Sequence, residues 1–334
     1  MDIRQTTINT TKVLLPLLLG GAILYWMYRD YDMEQFKHIM HEEMDWTWMF
    51  LSLPFGVTAQ LFRGLRWKQT LSPIGEHARS HTSICAVFLS YATSLVIPRV
   101  GEFLRCGILK RYDNVTFAKS LGTVVTERAV DSLVVLLITM IAILSQVSVF
   151  HNFFITTGTR FDTFFGQFTT TGYIVTLICL LAAMLLLWLL AKAMKMSNKL
   201  KDTLSNLWHG IMSLRNVDNV GLYIFYTLGI WGSYFLHFYI TFYCFEETSA
   251  LGASCALVAF VVGSIAVIVP TPNGAGPWHF SVKTMLILYG VESNLALSFV
   301  LIVHTVQTML VILLGIYGWA ALAMIRPKTK TSDK

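Results

Sequence analysis

Charge is what this sequence has little of. Of its 334 residues, 13% are Asp, Glu, Lys or Arg, against roughly 25% in soluble globular domains. No polar stretch is long enough to form a soluble domain of its own, so the chain reads as a single integral membrane domain over 1–334. Cysteine is also sparse. Cys85, Cys106, Cys179, Cys244 and Cys255 form no C-x-x-C pair. That spacing weighs against a disulfide framework and a metal site, and the thiols read as small buried hydrophobes. No Ser-Gly-His or paired Arg/His motif is present, which weighs against a lipid phosphatase. The first apolar run continues through Tyr28 with no small-x-small cleavage site after it, so it is expected to be a retained span rather than a signal peptide. Neither a cofactor nor a metal is expected.

What the chain does have is apolar length. Hydrophobic residues make up 55% of it, and the mean hydropathy is +0.60. Runs over 13–28, 46–62, 118–149, 171–191, 219–245 and 295–325 approach or exceed the roughly 20 residues a membrane span needs. Two others, 82–97 and 250–269, are short or rich in Ser, Thr, Gly and Ala, and both run into proline turns. The net charge of +6 reports orientation before it reports a partner, so nucleic-acid binding is a poor reading of it.

The Lys/Arg bias then orders the topology. The loop 29–45 is acidic and belongs outside. The loop 63–81, with Arg63, Arg66, Lys68 and Arg79, belongs inside, as do 192–215 and the tail. A full crossing by 82–97 would put the basic segment 99–119 outside, against the positive-inside rule. A hairpin over 82–109, turning at Pro98-Arg99-Val100-Gly101, removes the conflict. A second hairpin over 250–289, turning at "PTPNGAGP", keeps the tail inside. The expected fold is all-α and polytopic: six full transmembrane helices plus two re-entrant helical hairpins, with both termini cytoplasmic. Eight full helices are the alternative. Irregular backbone at membrane depth requires support from protein or a watery cavity.

"SLVIPRVGE" from Ser94 and "AVIVPTPNGAG" from Ala266 each join a β-branched run, a proline and a Gly-containing turn, about half a chain apart. The halves, about 1–150 and 168–326, would each hold three spans and a hairpin, so the second would be inverted. Inverted repeats with broken helices are a transporter signature.

Ionisable residues cluster near the first turn. Arg99, Glu102 and Arg105 would fan across roughly 120° of a helix. In "TERAVDSL", Glu127 and Asp131 share a face and Arg128 can pair with Asp131. Charges at membrane depth face a cavity or each other. They therefore read either as a binding site or as a self-compensating network. Arg63 and Arg66 lie on one helical face with Trp67 beside them, in a position where snorkelling to the interface is the ordinary reading. At the second turn, Pro272, Asn273, Gly274 and Gly276 precede Pro277, which suits a first helical position. A helix over about 277–289, ended by Gly290, would aim N–H groups at an anion. His279 and His304 read as hydrogen-bonded core histidines or as a proton relay. Arginines suit phosphate because the guanidinium fork engages two oxygens. An anionic or zwitterionic lipid is the expected partner.

"RGLRW" (63–67), "PRVGEFLRCGIL" (98–109), "TERAVD" (126–131) and "PTPNGAGPWHF" (270–280) together resemble the flippase-like integral membrane family related to the transmembrane region of lysylphosphatidylglycerol synthases. The resemblance implies a bacterial inner-membrane protein whose relatives move an aminoacylated phospholipid between leaflets or serve polyprenyl-phosphate, hopanoid or glycolipid pathways. It also implies that Arg63, Arg66, Arg99, Glu102, Arg105, Glu127, Arg128 and Asp131 form a lipid-headgroup site, with the Pro272–Pro277 turn, including Asn273, Gly274 and Gly276, as the opposite gate beside His279. This chain has Asn273-Gly274 where the family usually has Gly-Gly. The soluble aminoacyl-transferase domain of the synthases is absent from it. A non-enzymatic lipid translocase is the expected function. The alternatives are a membrane-embedded transferase using Glu42-Glu43 in the first outer loop, and a non-transporting partner of a lipid-modifying enzyme.

Overall fold

The computed structural model describes residues 18, 20–29, 32–146, 217–269 and 271–328. Contacts divide the chain into two units, 1–142 with 206–334, and 143–205. The second unit, which holds the expected span 171–191, lies almost wholly outside the described residues. The first unit contains both proline turns.

Among the described residues every regular element is helical. The helices are α1 (20–28), α2 (Met33–His38), α3 (Trp46–Leu71), α4 (Ser80–Ser94), α5 (Val100–Asp113), α6 (Phe117–Ser145), α7 (Val220–Tyr239), α8 (Glu246–Ser249), α9 (Gly252–Ala266), α10 (Pro277–Leu288) and α11 (Ser293–Met324). Their starts follow local chemistry, because the first N–H groups of a helix need an acceptor. Asp45 caps α3 by accepting from the Thr47 N–H at 2.8 Å. Asn219 caps α7 through the Leu222 N–H at 2.9 Å. Glu292 caps α11 through the N–H groups of Asn294 and Leu295.

Helices α6 and α11 are, among the described residues, the two long and apolar enough to cross a bilayer. Helix α3 has 26 residues but carries Arg63, Arg66 and Lys68 in its second half. In contrast, α4, α5, α9 and α10 have 15, 14, 15 and 12 residues. At 1.5 Å per residue each reaches only about 18 to 23 Å, short of the roughly 30 Å hydrocarbon core. They pair into two helical hairpins, α4 with α5 and α9 with α10. The breaks fall where the proline turns predicted them, at 95–99 and 267–276.

Close packing fixes the first hairpin. A Cβ at Gly101 would collide with the carbonyl of Ser90, so only glycine lets α5 approach α4 there. Gly315 and Gly318 give α11 the same closeness to α4, against Ala92, Phe88 and the carbonyl of Cys85. Trp67, Leu71, Cys85, Ala86, Cys106, Leu109 and Val124 form the core beneath. An aromatic core of Phe238, Phe242 and Phe299 holds α7 to α11, and Phe238 also reaches Trp278 of α10. Helix α1 lies against the second turn and α10, with Trp26 on Phe280 and Tyr28 edge-on to His279.

Candidate functional site

Arg63 and Arg66 stand one turn apart on α3 and face Glu127 and Asp131 on α6. The Arg63 Nη1 donates to Glu127 Oε1 at 3.0 Å and to Asp131 Oδ2 at 2.6 Å. The Arg66 Nη2 donates to Glu127 Oε1 at 3.1 Å and to Asp131 Oδ1 at 2.7 Å. From α5, the Arg105 Nη1 donates to Glu127 Oε2 at 2.8 Å. All five side chains are inside: exposure is 2% for Arg63, 0% for Arg66, 1% for Arg105, 1% for Glu127 and 6% for Asp131. Taking such ions out of water costs several kcal/mol each in effective terms. Only short, charge-assisted bonds of this kind offset that cost.

Aromatic rings line the cluster. The Arg105 guanidinium lies over the Trp67 ring at 4.6 Å, and Trp67 is itself held by its Nε1–H donating to Thr123 Oγ1 at 2.9 Å. Arg63 sits between the rings of Tyr91 and Tyr234, 5.8 Å from each. Arg66 lies 5.7 Å from the Tyr223 ring and donates to Thr227 Oγ1 at 3.3 Å. Cation–π contacts gain strength where water is excluded.

The charges do not cancel. Three guanidinium groups meet two carboxylates, which leaves one positive charge. The neighbouring pair, Arg128 Nε to Glu102 Oε1 at 2.6 Å, adds nothing to the sum. Arg128 also approaches Asp131 at 3.8 Å, so the expected i, i+3 pairing is present but secondary. Among the described residues, Nε of Arg63, Nε of Arg66, and both Nε and Nη2 of Arg105 are buried without an acceptor. Self-compensation is therefore incomplete.

Two expectations need correction. Arg63 and Arg66 do not snorkel from a helix end. Helix α3 continues to Leu71, which turns both side chains into the interior, where α6 supplies their counter-charges. Arg99 does not share a helical fan with Glu102 and Arg105. It precedes α5 as its N-cap, with φ 66° in the left-handed region, so helical spacing does not govern it. Its side chain is exposed and has no partner among the described residues.

The second turn is a separate assembly. Pro272, Asn273 and Gly274 make a tight turn with Asn273 at φ 52° and Gly274 at φ 72°. Asn is the residue that best tolerates this conformation after glycine, so Asn273 can hold the turn without a glycine there. Asn273 Nδ2 donates to Thr308 Oγ1 at 2.8 Å, and the Asn273 carbonyl lies 3.1 Å from His304 Nε2. Gly276, at φ 90°, is followed by Pro277 at the first position of α10. The Gly276 N–H donates to His279 Nδ1 at 3.4 Å. His279 is buried and its ring centroid lies 4.4 Å from that of His304. No hydrogen bond, ion pair or ring contact among the described residues joins this turn directly to the arginine cluster.

Sequence reasoning did not pick out Tyr91, Tyr223, Tyr234, Thr227 or Thr308. Isolated polar groups inside apolar runs were the available signal. Glu42 and Glu43 lie in an exposed turn of π-helix beside His38, at 3.8 and 3.3 Å. Farther along, Arg79–Asp113 at 2.6 Å and Lys119–Glu76 at 3.0 Å tie the ends of α4, α5 and α6 together.

A family model described as the lysylphosphatidylglycerol synthase TM region matches residues 13–315. No curated protein and no solved structure matches the chain.

Proposed function

Because the chain belongs to the family of the lysylphosphatidylglycerol synthase transmembrane region, a membrane family with a lipid-related role, we propose that it is a lipid translocase of the bacterial inner membrane. It takes an anionic or zwitterionic phospholipid-like substrate and carries it between leaflets. Both hairpins are re-entrant in this reading, entered from opposite sides, and both termini are cytoplasmic. The headgroup binds at the arginine cluster beside α4 and α5. The acyl chains stay in lipid, and the second turn acts as the opposite gate.

One observation carries the reading: a buried cluster of three arginines and two carboxylates that retains a positive charge and unused N–H donors. A purely structural network would be expected to satisfy itself, since a buried unpaired donor or charge is costly. A cluster that must bind and release an anion leaves that capacity unfilled. Arg99 adds a second, exposed cation at the break of the same hairpin.

Leaflet exchange of fluorescent phosphatidylglycerol in proteoliposomes tests the proposal. The wild type should accelerate loss of inner-leaflet signal after an external quencher is added, and Arg99→Ala should slow it while the protein remains folded. Exchange no faster than in protein-free vesicles overturns the reading.

A further inference from the structure

The two histidines behind the second turn are not equivalent. His304 is committed at both ring nitrogens. Its Nε2 lies 3.1 Å from the Asn273 carbonyl, which can only accept, so Nε2 carries the proton. Its Nδ1 lies 3.5 Å from Thr308 Oγ1. That oxygen already accepts from the Asn273 amide at 2.8 Å, which leaves the hydroxyl hydrogen to donate to Nδ1. His279 is held more loosely: its Nδ1 accepts from the Gly276 N–H over a long 3.4 Å. The two ring centroids stand 4.4 Å apart, with Trp278 at 5.2 Å from His304 and 5.6 Å from His279. Helix α1 closes the enclosure. Tyr28 meets His279 edge-on, and a Cβ at Gly276 would press on the Gly20 carbonyl and on Ile23. His279 is buried there. A charge is costly in such a place, so both rings are neutral while the turn is closed.

The geometry points to His279 as a proton site that opens and closes the second turn. This rests on the reading of that turn as a gate and names what drives it. When the turn opens, water supplies a proton to the Nδ1 lone pair. The new N–H faces the Gly276 N–H, donor against donor, and the bond tying the start of α10 to the turn cannot re-form. The pair takes up one proton, because a second imidazolium 4.4 Å away would repel the first. The surroundings offer no rival. From α1 the titratable neighbour is Tyr28, followed by Arg29, and from α11 it is His304. On α10, Lys283 follows one turn on, under the influence of Glu292. Residues 271–276 carry no charged side chain, and the titratable group of α9 is Cys255. His237 of α7 faces α3 instead, donating to the Ser52 carbonyl at 2.9 Å. Of these groups only histidines ordinarily change charge between pH 5 and 8. The closed turn excludes the proton that the open one binds. Closure is therefore favoured above about pH 6.5 and weakens as the pH falls below it.

Deuterium exchange of the purified full-length chain in detergent, read by mass spectrometry and corrected for the intrinsic pH dependence of amide exchange, tests this. From pH 7.5 to pH 5.5 the protection of amides 274–280 should fall about tenfold, as one proton bound only by the open form requires. Amides 95–101 of the first turn should keep theirs. Constant protection at 274–280 overturns the proposal, and so does an equal fall at both turns. His279→Gln cannot take up a proton and should hold protection at 274–280 constant over the same range. A fall like that of the wild type in this variant overturns the assignment to His279, and the wild-type comparison of the two turns decides even if the variant does not fold. The proton site and translocation fail separately. Protection that falls with pH in a protein that moves no lipid sinks translocation alone, whereas lipid exchange with pH-independent protection sinks the proton site alone.

Discussion

The two hairpins carry the same device under opposite constraints. In each, the residue after a proline adopts a left-handed backbone: Arg99 after Pro98, with φ 66°, and Asn273 after Pro272, with φ 52°. At the second turn this conformation is clamped from both sides, since α11 engages the Asn273 side chain through Thr308 and its carbonyl through His304. At the first turn the Arg99 side chain is exposed and makes no bond among the described residues. A non-glycine residue in this region costs of order 1–3 kcal/mol and persists only where its surroundings impose it. The second turn is held by neutral hydrogen bonds at the turn itself. The first is held at a distance, by the packing of α4 on α5 and by the ion cluster behind it. One hairpin is thus pinned at its tip and the other at its base.

That contrast can be broken experimentally, beginning at the base of the first hairpin. Glu127→Gln leaves three guanidinium groups facing Asp131 alone and should cost about 3–5 kcal/mol, as for one partner lost from a buried ion pair. Thermal unfolding in detergent measures this, and an unchanged melting temperature would mean the cluster is not what holds the hairpin. Gly101→Ala should cost about 1–3 kcal/mol by driving a methyl group into the Ser90 carbonyl. The counterpart in the second hairpin, Gly263→Ala, meets the Trp278 ring and should cost less, because a side chain can yield where a backbone cannot. The opposite order would show the second hairpin to be the tighter. Next, Thr308→Val removes one neutral hydrogen bond from the clamp and should lower stability by about 1 kcal/mol. The smallest effect should come at the first tip. Arg99→Gly relieves the left-handed strain and should leave stability unchanged or raise it by up to about 1 kcal/mol, while slowing leaflet exchange. A clear loss of stability would show that Arg99 is held after all.

The helix breaks were legible from the sequence because they rest on local chemistry. Proline and glycine act on their own backbone, and α10 ends one residue before the expected 289, at Leu288. That Arg105, Glu127 and Asp131 meet was legible from charges embedded beside apolar runs, whereas Arg63 and Arg66 joined them only through the family resemblance, their own positions reading as snorkelling from a helix end. The end of α3 was not legible. Hydropathy stops at Arg63, but the helix runs on to Leu71 because counter-charges 64 and 68 residues away remove the penalty. The exclusion of Arg99 was equally hidden, because it depends on a single dihedral angle. The helix α2 and its π-turn in the acidic loop had local signals, with Asp32 accepting from Glu34 N–H and Lys37 pairing with Glu34. The contacts of Tyr91 and Tyr234 with Arg63 join residues far apart in the chain, and no single-chain pattern reports them.

Helix α11 touches both hairpins. Gly315 and Gly318 let α4 lie almost backbone to backbone against it, and His304 and Thr308 grip the second turn from nearer its start. With 32 residues it is about 48 Å long, longer than the hydrocarbon layer is thick. A rod of that length, bonded near its middle to one element and in its second half to another, makes the two mechanically dependent. Neither can tilt without loading the other through a common spar. Softening that spar between residues 308 and 315 would uncouple the motions without touching a single charge.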